Sequence, residues 1–302
     1  MTNIQSCTSK IIVMCGLPCS GKSTISKELA EKYNATIFSS DELRVKMFGD
    51  VNDQEHNQEL FVELHKRIKD CLRSGKSAIY DACNINYKRR MAFLAELKNI
   101  PCEKICVVMA IPESVCIKRN KVRERQVPVH VIHRMYSNFH CPYWFEGWDD
   151  IQVEYDGYAK YFGNPMNFYF DSKDYDQHNS HHTLTLGEHC RQVSLNVGYD
   201  MTLVYAGLLH DCGKPVCATN INKNGERDDD CHYYDHQYIG SYLSLFYDYG
   251  DINPLDVAVL IEWHMQPYFN KEEKTKKKYQ QLWGEELYQK IMKLHEADKA
   301  AK

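Results

Sequence analysis

The feature that most constrains this chain is an apolar run, Ile-Ile-Val-Met-Cys, that enters a loop bounded by Gly16 and Gly21. The spacing from Gly16 to Ser23 is G-x-x-x-x-G-K-S, the pattern of a phosphate-binding loop, and a helix-forming run follows. Glycines let successive N–H groups curl around phosphate oxygens, Lys22 can reach the β- and γ-phosphates, and Ser23 can hold Mg²⁺. We predict that this loop binds a nucleoside triphosphate, ATP or another NTP, and that Thr24 belongs to the site together with Lys22 and Ser23. The alternative is an ordinary strand–helix turn.

Strand-like and helical segments alternate after this loop. Short apolar runs begin at Thr36, Ser77 and Lys104, and residues 54–73 and 88–98 carry apolar side chains at helical spacing. This alternation predicts an α/β domain in which helices cover a parallel sheet. Ligands in such domains bind at the carboxyl ends of the strands.

Two charged residues follow the first of these downstream strands. Asp41 could accept a proton from an attacking hydroxyl. Arg44 lies one helical turn further on and could hold an acceptor phosphate. A serine followed by Asp41 and Glu42 is also a good helix N-terminus, so the spacing leaves both interpretations open.

Asp81 ends the next predicted strand and could orient Arg44 or approach the metal, although Asp is also a common turn former. Further along, five of the eight residues from Lys118 to Arg125 are basic. Arg119 and Arg123 are four apart, so we predict that they share a helix face that meets a polyphosphate. A solvated charged face is the alternative.

Together these motifs resemble the 5′-hydroxyl polynucleotide kinase family over roughly the first half of the chain. The resemblance rests on Gly16–Thr24, Ser40-Asp41-x-x-Arg44, Asp81-Ala-Cys-Asn, Arg119-x-x-x-Arg123-x-Arg125 and Glu146-Gly-Trp-Asp-Asp-Ile. It implies a lid over the donor phosphates that carries Arg119 and Arg123. Asp81 matches an acidic position of the family.

The same resemblance implies catalytic roles for residues near the phosphate-binding loop. Lys22 and Ser23 would serve the NTP and its Mg²⁺. Asp41 would be the general base on the 5′-hydroxyl, and Arg44 would contact the phosphate of the acceptor.

The second half of the chain has a different pattern. Residues 155–180 show no sustained helical period, so we predict a boundary near residue 170, with domains at 1–170 and 171–302. Five apolar stripes at helical spacing then predict an all-α domain.

Histidines and aspartates occupy the core side of these stripes. Burying such groups unpaired is costly, and a divalent metal removes the cost. One histidine alone would be an ordinary hydrogen-bonded core residue, but several helices that each contribute a ligand predict a metal centre. Mixed nitrogen and oxygen ligands do not choose among Mn, Fe, Co, Ni and Zn. The predicted ligands are His189, His210, Asp211, His236, His264 and Asp298.

The order His189 … His210-Asp211 … Asp298 resembles the HD-domain phosphohydrolase superfamily over nearly all of the second half. The surroundings of the other two histidines resemble its two-metal members. The resemblance implies that the quartet binds one divalent ion, that the additional histidines hold a second, and that Asp211 belongs to a hydrolytic centre.

Two basic features have open interpretations. Lys214 either grips a substrate phosphate or is a solvated lysine at a helix end. The run from Lys271 to Lys278 is predicted to be a solvated loop that could instead touch a nucleic-acid backbone.

Composition limits the function classes. The net charge of −4 gives no general attraction to nucleic acid, so such contacts need local basic patches. No apolar run is long enough to span a membrane. Thirteen scattered cysteines without a C-x-x-C pair, and an N-terminus without a secretory pattern, predict reduced thiols and a cytoplasmic location.

One half of the chain would add phosphate and the other would remove it. We therefore expect a bifunctional end-healing enzyme, similar to bacterial fusions of polynucleotide kinase with an HD domain. It would act on nucleic-acid ends, RNA rather than DNA, with a separate ligase because no nucleotidyl-lysine motif is visible. One alternative is a small-molecule kinase fused to a nucleotide phosphohydrolase. Another is a nucleotide-sensing P-loop module that gates the HD half.

Overall fold

A computed structural model describes residues 9–179, 183–270 and 272–301. These residues form two compact units. The first contains the residues up to Ile132 together with Pro142–Tyr155, and the second contains His133–Cys141 and the residues from Asp156 onward. Residues 156–170, which the sequence grouped with the first half, therefore lie in the second unit. The domain ranges 1–170 and 171–302 stay predictions.

The first unit is built on a parallel sheet, as the sequence predicted. Its five strands have the order β2-β3-β1-β4-β5. Strand β1 is central, and all its residues from Ile11 to Cys15 are buried, because helices cover both faces of the sheet. The strands are β1 Lys10–Cys15, β2 Ala35–Ser39, β3 Ser77–Asp81, β4 Glu103–Met109 and β5 Asp150–Glu154.

The helices of this part of the chain connect the strands. In α3, residues Leu60, Leu64, Ile68 and Leu72 are buried at a spacing of four, which is one face of an amphipathic helix. A short 3₁₀ helix spans Trp144–Glu146. The α-helices are α1 Lys22–Tyr33, α2 Ser40–Phe48, α3 Asn57–Arg73, α4 Tyr87–Glu96, α5 Glu113–Lys121 and α6 Val129–Tyr136.

The second unit is mainly helical, which confirms the predicted fold class. An antiparallel hairpin interrupts the helices, and the sequence did not predict it. Its strands are β6 Ala218–Ile221 and β7 Arg227–Tyr233. The helices are α7 Met166–Ser172, α8 Leu186–Asn196, α9 Met201–Leu209, α10 Lys214–Cys217, α11 His236–Ser244, α12 Pro254–Trp263, α13 Gln266–Phe269, α14 Glu273–Trp283 and α15 Glu285–Ala300.

The lysine-rich run near residue 275 differs from its prediction. Residues 273–278 begin helix α14 and do not form a loop, while Lys271 lies outside the described residues. Lysine and glutamine have good helix propensity, and the helix ends at Trp283, which is buried. Across the part of the chain that the structure describes, no helix has the length and apolar character needed to cross a membrane.

Candidate functional site

The phosphate-binding loop follows β1 and is held by the segment after β3. The N–H of Gly16 donates to the carbonyl of Cys83 over 2.9 Å. A Cβ atom at Gly16 would lie 2.8 Å from both Met109 Cβ and Ser20 Oγ, so only glycine fits there. Gly21 has a φ of +94°, which favours glycine as well. The predicted glycines therefore shape a loop that larger residues would distort.

The two polar residues that open α1 make hydrogen bonds with the phosphate-binding loop and with the end of β3. Lys22 is buried, and its ammonium donates to the carbonyls of Gly16 and Leu17 over 3.0 and 2.7 Å. The Ser23 hydroxyl donates to Asp81 Oδ2 over 2.9 Å. A hydroxyl beside a carboxylate at the end of a neighbouring strand is the ligand pair that holds Mg²⁺ in P-loop proteins. The predicted position Thr24 lies on the first turn of α1 and is exposed.

Of the two functional interpretations of Asp81, the geometry favours metal binding, and Asp81 is the last residue of strand β3 and not part of the turn. Its described side-chain contact is with Ser23 and not with Arg44. The side chain is buried, as is usual for a carboxylate that supports a metal.

Asp41 lies in the first turn of α2, whose N-terminus is capped by the Ser39 side chain. The helix-terminus interpretation is therefore right, and it leaves the carboxylate available for chemistry, with the side chain 57% exposed. Arg125 donates to Asp41 Oδ2 over 2.9 Å and also to Asn52 Oδ1 and the carbonyl of Val51. Arg125 thus ties the basic segment after α5 to α2.

Arg44 is one turn beyond Asp41 and is only 5% exposed. Its guanidinium donates to the carbonyl of Asp53, while its Nε has no hydrogen-bond partner among the described residues. A buried donor without a partner is costly, so this nitrogen is a candidate contact for a bound anion.

Arg119 and Arg123 both reach the phosphate-binding loop, but not from one helix face. Helix α5 ends at Lys121, so the prediction of a shared helix face is wrong. A guanidinium nitrogen of Arg119 lies 3.8 Å from the Cβ position of Gly21. Arg123 lies beyond the helix and donates to Cys19 Sγ over 3.3 Å. Helix α5 therefore places Arg119 over the loop, and the segment that follows the helix places Arg123 there.

A buried ion pair supports the loop, and sequence reasoning missed it. Arg90 is 1% exposed and binds both oxygens of Glu146 over 2.7 and 2.6 Å. It also donates to the carbonyl of Asn84 over 2.8 Å, and the Asn84 amide donates to Met14 in β1. Although burial would lower the pKa of Arg90, Glu146 raises it above its usual range. The motifs Asp81-Ala-Cys-Asn and Glu146-Gly-Trp thus brace one another beneath the loop.

In the second unit, the predicted quartet converges. His189 Nε2 lies 3.2 Å from His210 Nε2 and 3.1 Å from Asp298 Oδ1. His210 Nε2 lies 3.2 Å from Asp211 Oδ2. The two histidines and Asp298 form a group whose ligand atoms could share one metal ion. The quartet was predicted as a unit, and the structure brings all four residues together.

The two additional histidines form a second cluster. His236 Nε2 lies 3.2 Å from Asp211 Oδ1 and 3.3 Å from His264 Nε2. These three residues are also a possible metal-binding group. Asp211 therefore presents one oxygen to each cluster, which is the arrangement of a carboxylate that bridges two ions.

Backbone carbonyls fix all four imidazoles in one orientation. A carbonyl only accepts, so each Nδ1 must be the donor and each Nε2 keeps a lone pair that points inward. The pairs are His189 with Ala301, His210 with Gly207, His236 with Tyr233 and His264 with Ile261, at 2.7 or 2.8 Å. These residues therefore fit divalent metal ions.

The electrostatics of the centre agree with this fit at Asp211 and His264 but not at His210. Although burial lowers the pKa of His210, Asp211 and Cys190 raise it well above its usual range, so a metal ion has to displace a proton there. Burial would raise the pKa of Asp211, but His210 and Lys214 hold it well below its usual range. Burial and the two neighbouring imidazoles, His210 and His236, lower the pKa of His264 to about 3. An ionised carboxylate and a neutral imidazole are the forms that bind metals.

Lys214 is not a solvated lysine, and that alternative is wrong. It is 5% exposed, and its ammonium lies 2.7 Å from Asp211 Oδ2 and 2.7 Å from Gln177 Oε1. Sequence reasoning also missed Tyr268, whose hydroxyl donates to Asp298 Oδ2 over 2.9 Å. Tyr268 follows the last predicted histidine by four residues, but no motif marks it.

Close backbone contact at Gly213 positions the second cluster. A Cβ atom there would lie 2.1 Å from the carbonyl of His236 and 2.8 Å from the nitrogen of Gly240. We expect Gly213→Ala to push α11 away, lower the melting temperature and weaken metal binding at His236, because overpacking a rigid contact costs about 1–3 kcal/mol or more. Calorimetry and metal analysis would measure both effects. Val216→Ala, in the short helix that follows Gly213 and at a side chain that is 54% exposed, is the control. Equal melting temperatures for the two variants would contradict this prediction.

The fold and the two sites define a P-loop domain joined to a helical domain with a histidine–aspartate metal centre. A family model described as an AAA domain matches residues 11–142, and one described as an HD domain matches residues 179–301. The chain therefore carries a kinase-like P-loop domain of the AAA type and an HD domain.

Individual proteins match parts of the chain. The L-seryl-tRNA(Sec) kinase of Methanococcus maripaludis is 29% identical over 150 residues, which are 48% of this chain and 58% of that kinase. A putative kinase from Chloroflexus aurantiacus is 18% identical, with a TM-score of 0.42. The match covers 49% of this chain and 85% of that kinase. One chain in the structure of the Pnkp1/Rnl/Hen1 RNA repair complex is 17% identical to this protein, with a TM-score of 0.38. The match covers 44% of this chain and 44% of that chain.

Proposed function

We propose that the protein heals nucleic-acid ends, and RNA ends in particular. The P-loop domain would phosphorylate a 5′-hydroxyl with ATP, and the HD domain would remove a 2′,3′-cyclic or terminal phosphate. The observation that carries the proposal is that one chain holds both the Ser23–Asp81 pair and Asp211 between two histidine clusters. A repair enzyme needs both reactions, because a ligase requires a 5′-phosphate and a free 3′-hydroxyl. The ligase itself would be a separate protein.

In the kinase reaction, the 5′-oxygen attacks the γ-phosphorus while the bond to the β-phosphate oxygen breaks and ADP leaves. Asp41 would take the proton of the attacking hydroxyl. Lys22, Arg119 and Arg123 surround the loop and would neutralise charge on the donor phosphates. Mg²⁺ would be held by Ser23 and Asp81.

Arg44 would contact the phosphate of the acceptor nucleotide. Its buried Nε without a described partner supports this role, and its place one turn from Asp41 puts it near the base. A mononucleoside offers no such phosphate. The preference of the enzyme for a phosphate-bearing acceptor therefore bears directly on the polynucleotide proposal.

In the HD domain, two divalent ions would be held by His189, His210, Asp298, His236 and His264, with Asp211 shared between them. Bound ions of this kind lower the pKa of a water molecule and polarise phosphoryl oxygens. The Lys214 ammonium, next to Asp211, would attract the anionic substrate and balance its charge. The oxygen of a water molecule would add to phosphorus as the phosphorus–oxygen bond to the sugar breaks, and a proton of that water would go to the sugar oxygen, which leaves as a hydroxyl. Removal of a 2′,3′-cyclic phosphate would need this step twice.

A second candidate is phosphorylation of another hydroxyl that RNA carries. The observation that favours it is the 29% identity to a kinase whose name gives seryl-tRNA(Sec) as its substrate. It uses the same P-loop residues, so the acceptor decides between the candidates.

The test uses an RNA oligonucleotide with a 5′-hydroxyl and a 2′,3′-cyclic phosphate, incubated with ATP and Mn²⁺ while both ends are followed. Parallel reactions contain seryl-tRNA, free nucleosides and free nucleotides. We expect the 5′ end to gain phosphate and the 3′ end to lose it. Turnover of free nucleosides and nucleotides alone would support a metabolic kinase–phosphohydrolase. Slow phosphorylation together with an ATP-dependent hydrolase rate would support a nucleotide-sensing module.

A further inference from the structure

A cavity of about 800 Å³ lies beside the second metal cluster. This volume is in the range of small-molecule binding sites, about 300–1,000 Å³. His236 belongs to the wall of the cavity and to the cluster with Asp211. A ligand in the cavity is therefore next to the groups that we assign to hydrolysis.

Aromatic side chains from two elements line the cavity. His232 and Tyr234 are two residues apart, so they share a side of the chain, and their rings stack with centroids 5.5 Å apart at 12°. The Lys223 ammonium lies 5.6 Å from the centroid of the Tyr234 ring. Phe269, at the end of α13, also lines the cavity and is 66% exposed. Flat ring faces bind other flat rings by stacking. One face of the Tyr234 ring is already stacked on His232, so a bound ring would extend that stack from the other face of Tyr234 or lie against Phe269.

The same wall offers hydrogen bonds at the edge of a bound ring. Asn179, Asn222 and Gln237 line the cavity and carry carboxamide groups, which have both a donor and an acceptor end. The Asn222 amide is already bonded to Glu226 and to the N–H of Asn224, and the Asn179 amide donates to the carbonyl of Cys231, so Gln237 is the carboxamide that we assign to the edge of a base. A flat heterocycle with donors and acceptors around its rim matches both the rings and the amides. A nucleobase has this chemistry, whereas a lipid or a sugar phosphate lacks the ring.

Charge near the hairpin indicates how a nucleic acid would enter. Strand β7 contains one arginine and three consecutive aspartates, Asp228–Asp230. A row of carboxylates repels a phosphate backbone. A polynucleotide would therefore place only its last base at the hairpin, with the rest of the strand leading away.

We infer that this cavity binds the base of the nucleotide whose 2′- or 3′-phosphate is removed, by stacking against Tyr234 and Phe269. The inference rests on the proposed hydrolase function of the HD domain. It assigns the β6–β7 hairpin, which interrupts the helical domain, to substrate recognition. The hairpin also supports the metal centre, because the carbonyl of Tyr233 at the end of β7 accepts from His236 Nδ1 over 2.8 Å, so the variants below leave Tyr233 unchanged.

The test compares two RNA oligonucleotides with a 3′-phosphate, identical except that the last nucleotide of one lacks its base. Adenosine 3′-monophosphate separates a free nucleotide from a strand end. The full chain with Mn²⁺ is measured as wild type and as the variants Tyr234→Leu and Phe269→Leu. The control is Tyr199→Leu, at a fully exposed tyrosine of the same unit. Metal content and melting temperature are recorded for every variant.

We expect wild type to have a kcat/KM roughly tenfold higher for the intact end than for the abasic end, the effect of one base–aromatic stack. Tyr234→Leu should remove this preference and leave the abasic rate unchanged, while Tyr199→Leu should behave as wild type. Equal wild-type rates on the two ends, or an equal loss on both in Tyr234→Leu, would overturn the inference. If Tyr234→Leu lowers the rate on adenosine 3′-monophosphate but on neither oligonucleotide, the cavity binds a base but serves free nucleotides and not strand ends.

A binding measurement distinguishes an error in the base-binding inference from an error in the proposed hydrolase function. An oligonucleotide with 2-aminopurine as its last base reports stacking by its fluorescence, with or without hydrolysis. If no substrate loses phosphate but the fluorescence changes in wild type and not in Tyr234→Leu, the cavity binds a base and the hydrolase proposal is wrong. No fluorescence change in wild type would overturn the inference directly.

Discussion

Asp211→Asn should abolish phosphate release and leave 5′-phosphorylation at the wild-type rate. The two oxygens of Asp211 face different histidine clusters, at 3.2 Å from His210 and 3.2 Å from His236. An amide keeps the shape of the side chain but loses the negative charge and one of the two anionic ligand atoms. We expect phosphate release to fall below detection, because water without a metal has a pKa of about 15.7 and not about 7.

Melting temperatures with and without a chelator, together with the metal content, provide a second measurement for Asp211→Asn. Ligands that bind only the folded state raise the melting temperature, so a chelator should lower that of the wild type. The chelator should have little effect on Asp211→Asn, which would already have lost its ions. Asp251→Asn, at an exposed aspartate of the same unit, is the matched control. Full metal content and full hydrolysis in Asp211→Asn would show that this residue does not bridge the ions.

Local sequence patterns predicted the parts of both sites that depend on local structure. The phosphate-binding loop was predicted because Gly16 and Gly21 have backbone requirements that glycine meets. The histidines were predicted because a helix repeats its face every three to four residues, so a polar residue in an apolar stripe must face the core. Both patterns are read within a few turns of chain.

Contacts between distant residues were not predicted. Arg90 and Glu146 are 56 residues apart, and neither residue type nor periodicity links them. The burial of Lys214 follows from its partners Asp211 and Gln177, one of which lies 37 residues away. Helix α5 ends two residues before Arg123, and the spacing of basic residues does not predict where the helix ends. Such features depend on how elements pack, which the periodicity of one segment does not encode.

Asp41→Asn should lower the rate of 5′-phosphorylation by about 10²–10⁴, the contribution of a general base. The KM for ATP should change little, because Lys22 and Ser23 keep their contacts. Steady-state kinetics with a 5′-hydroxyl oligonucleotide separate kcat from KM, and phosphate release by the HD domain serves as an internal reference. Glu42→Gln is the matched control, since it removes the same charge from the same exposed turn of α2.

A structural role for Asp41 makes a different prediction, which Arg125→Ala tests. Asp41 Oδ2 accepts from Arg125 at 2.9 Å, so losing the carboxylate also releases the basic segment after α5. If that release were the cause, Arg125→Ala would reproduce the loss in full, because it breaks the same pair and leaves Asp41 in place. If Asp41 is the base, Arg125→Ala should retain most of the kcat, and the double variant should be no slower than Asp41→Asn. An equal loss in Asp41→Asn and Glu42→Gln would instead assign the effect to the charge of the helix N-terminus.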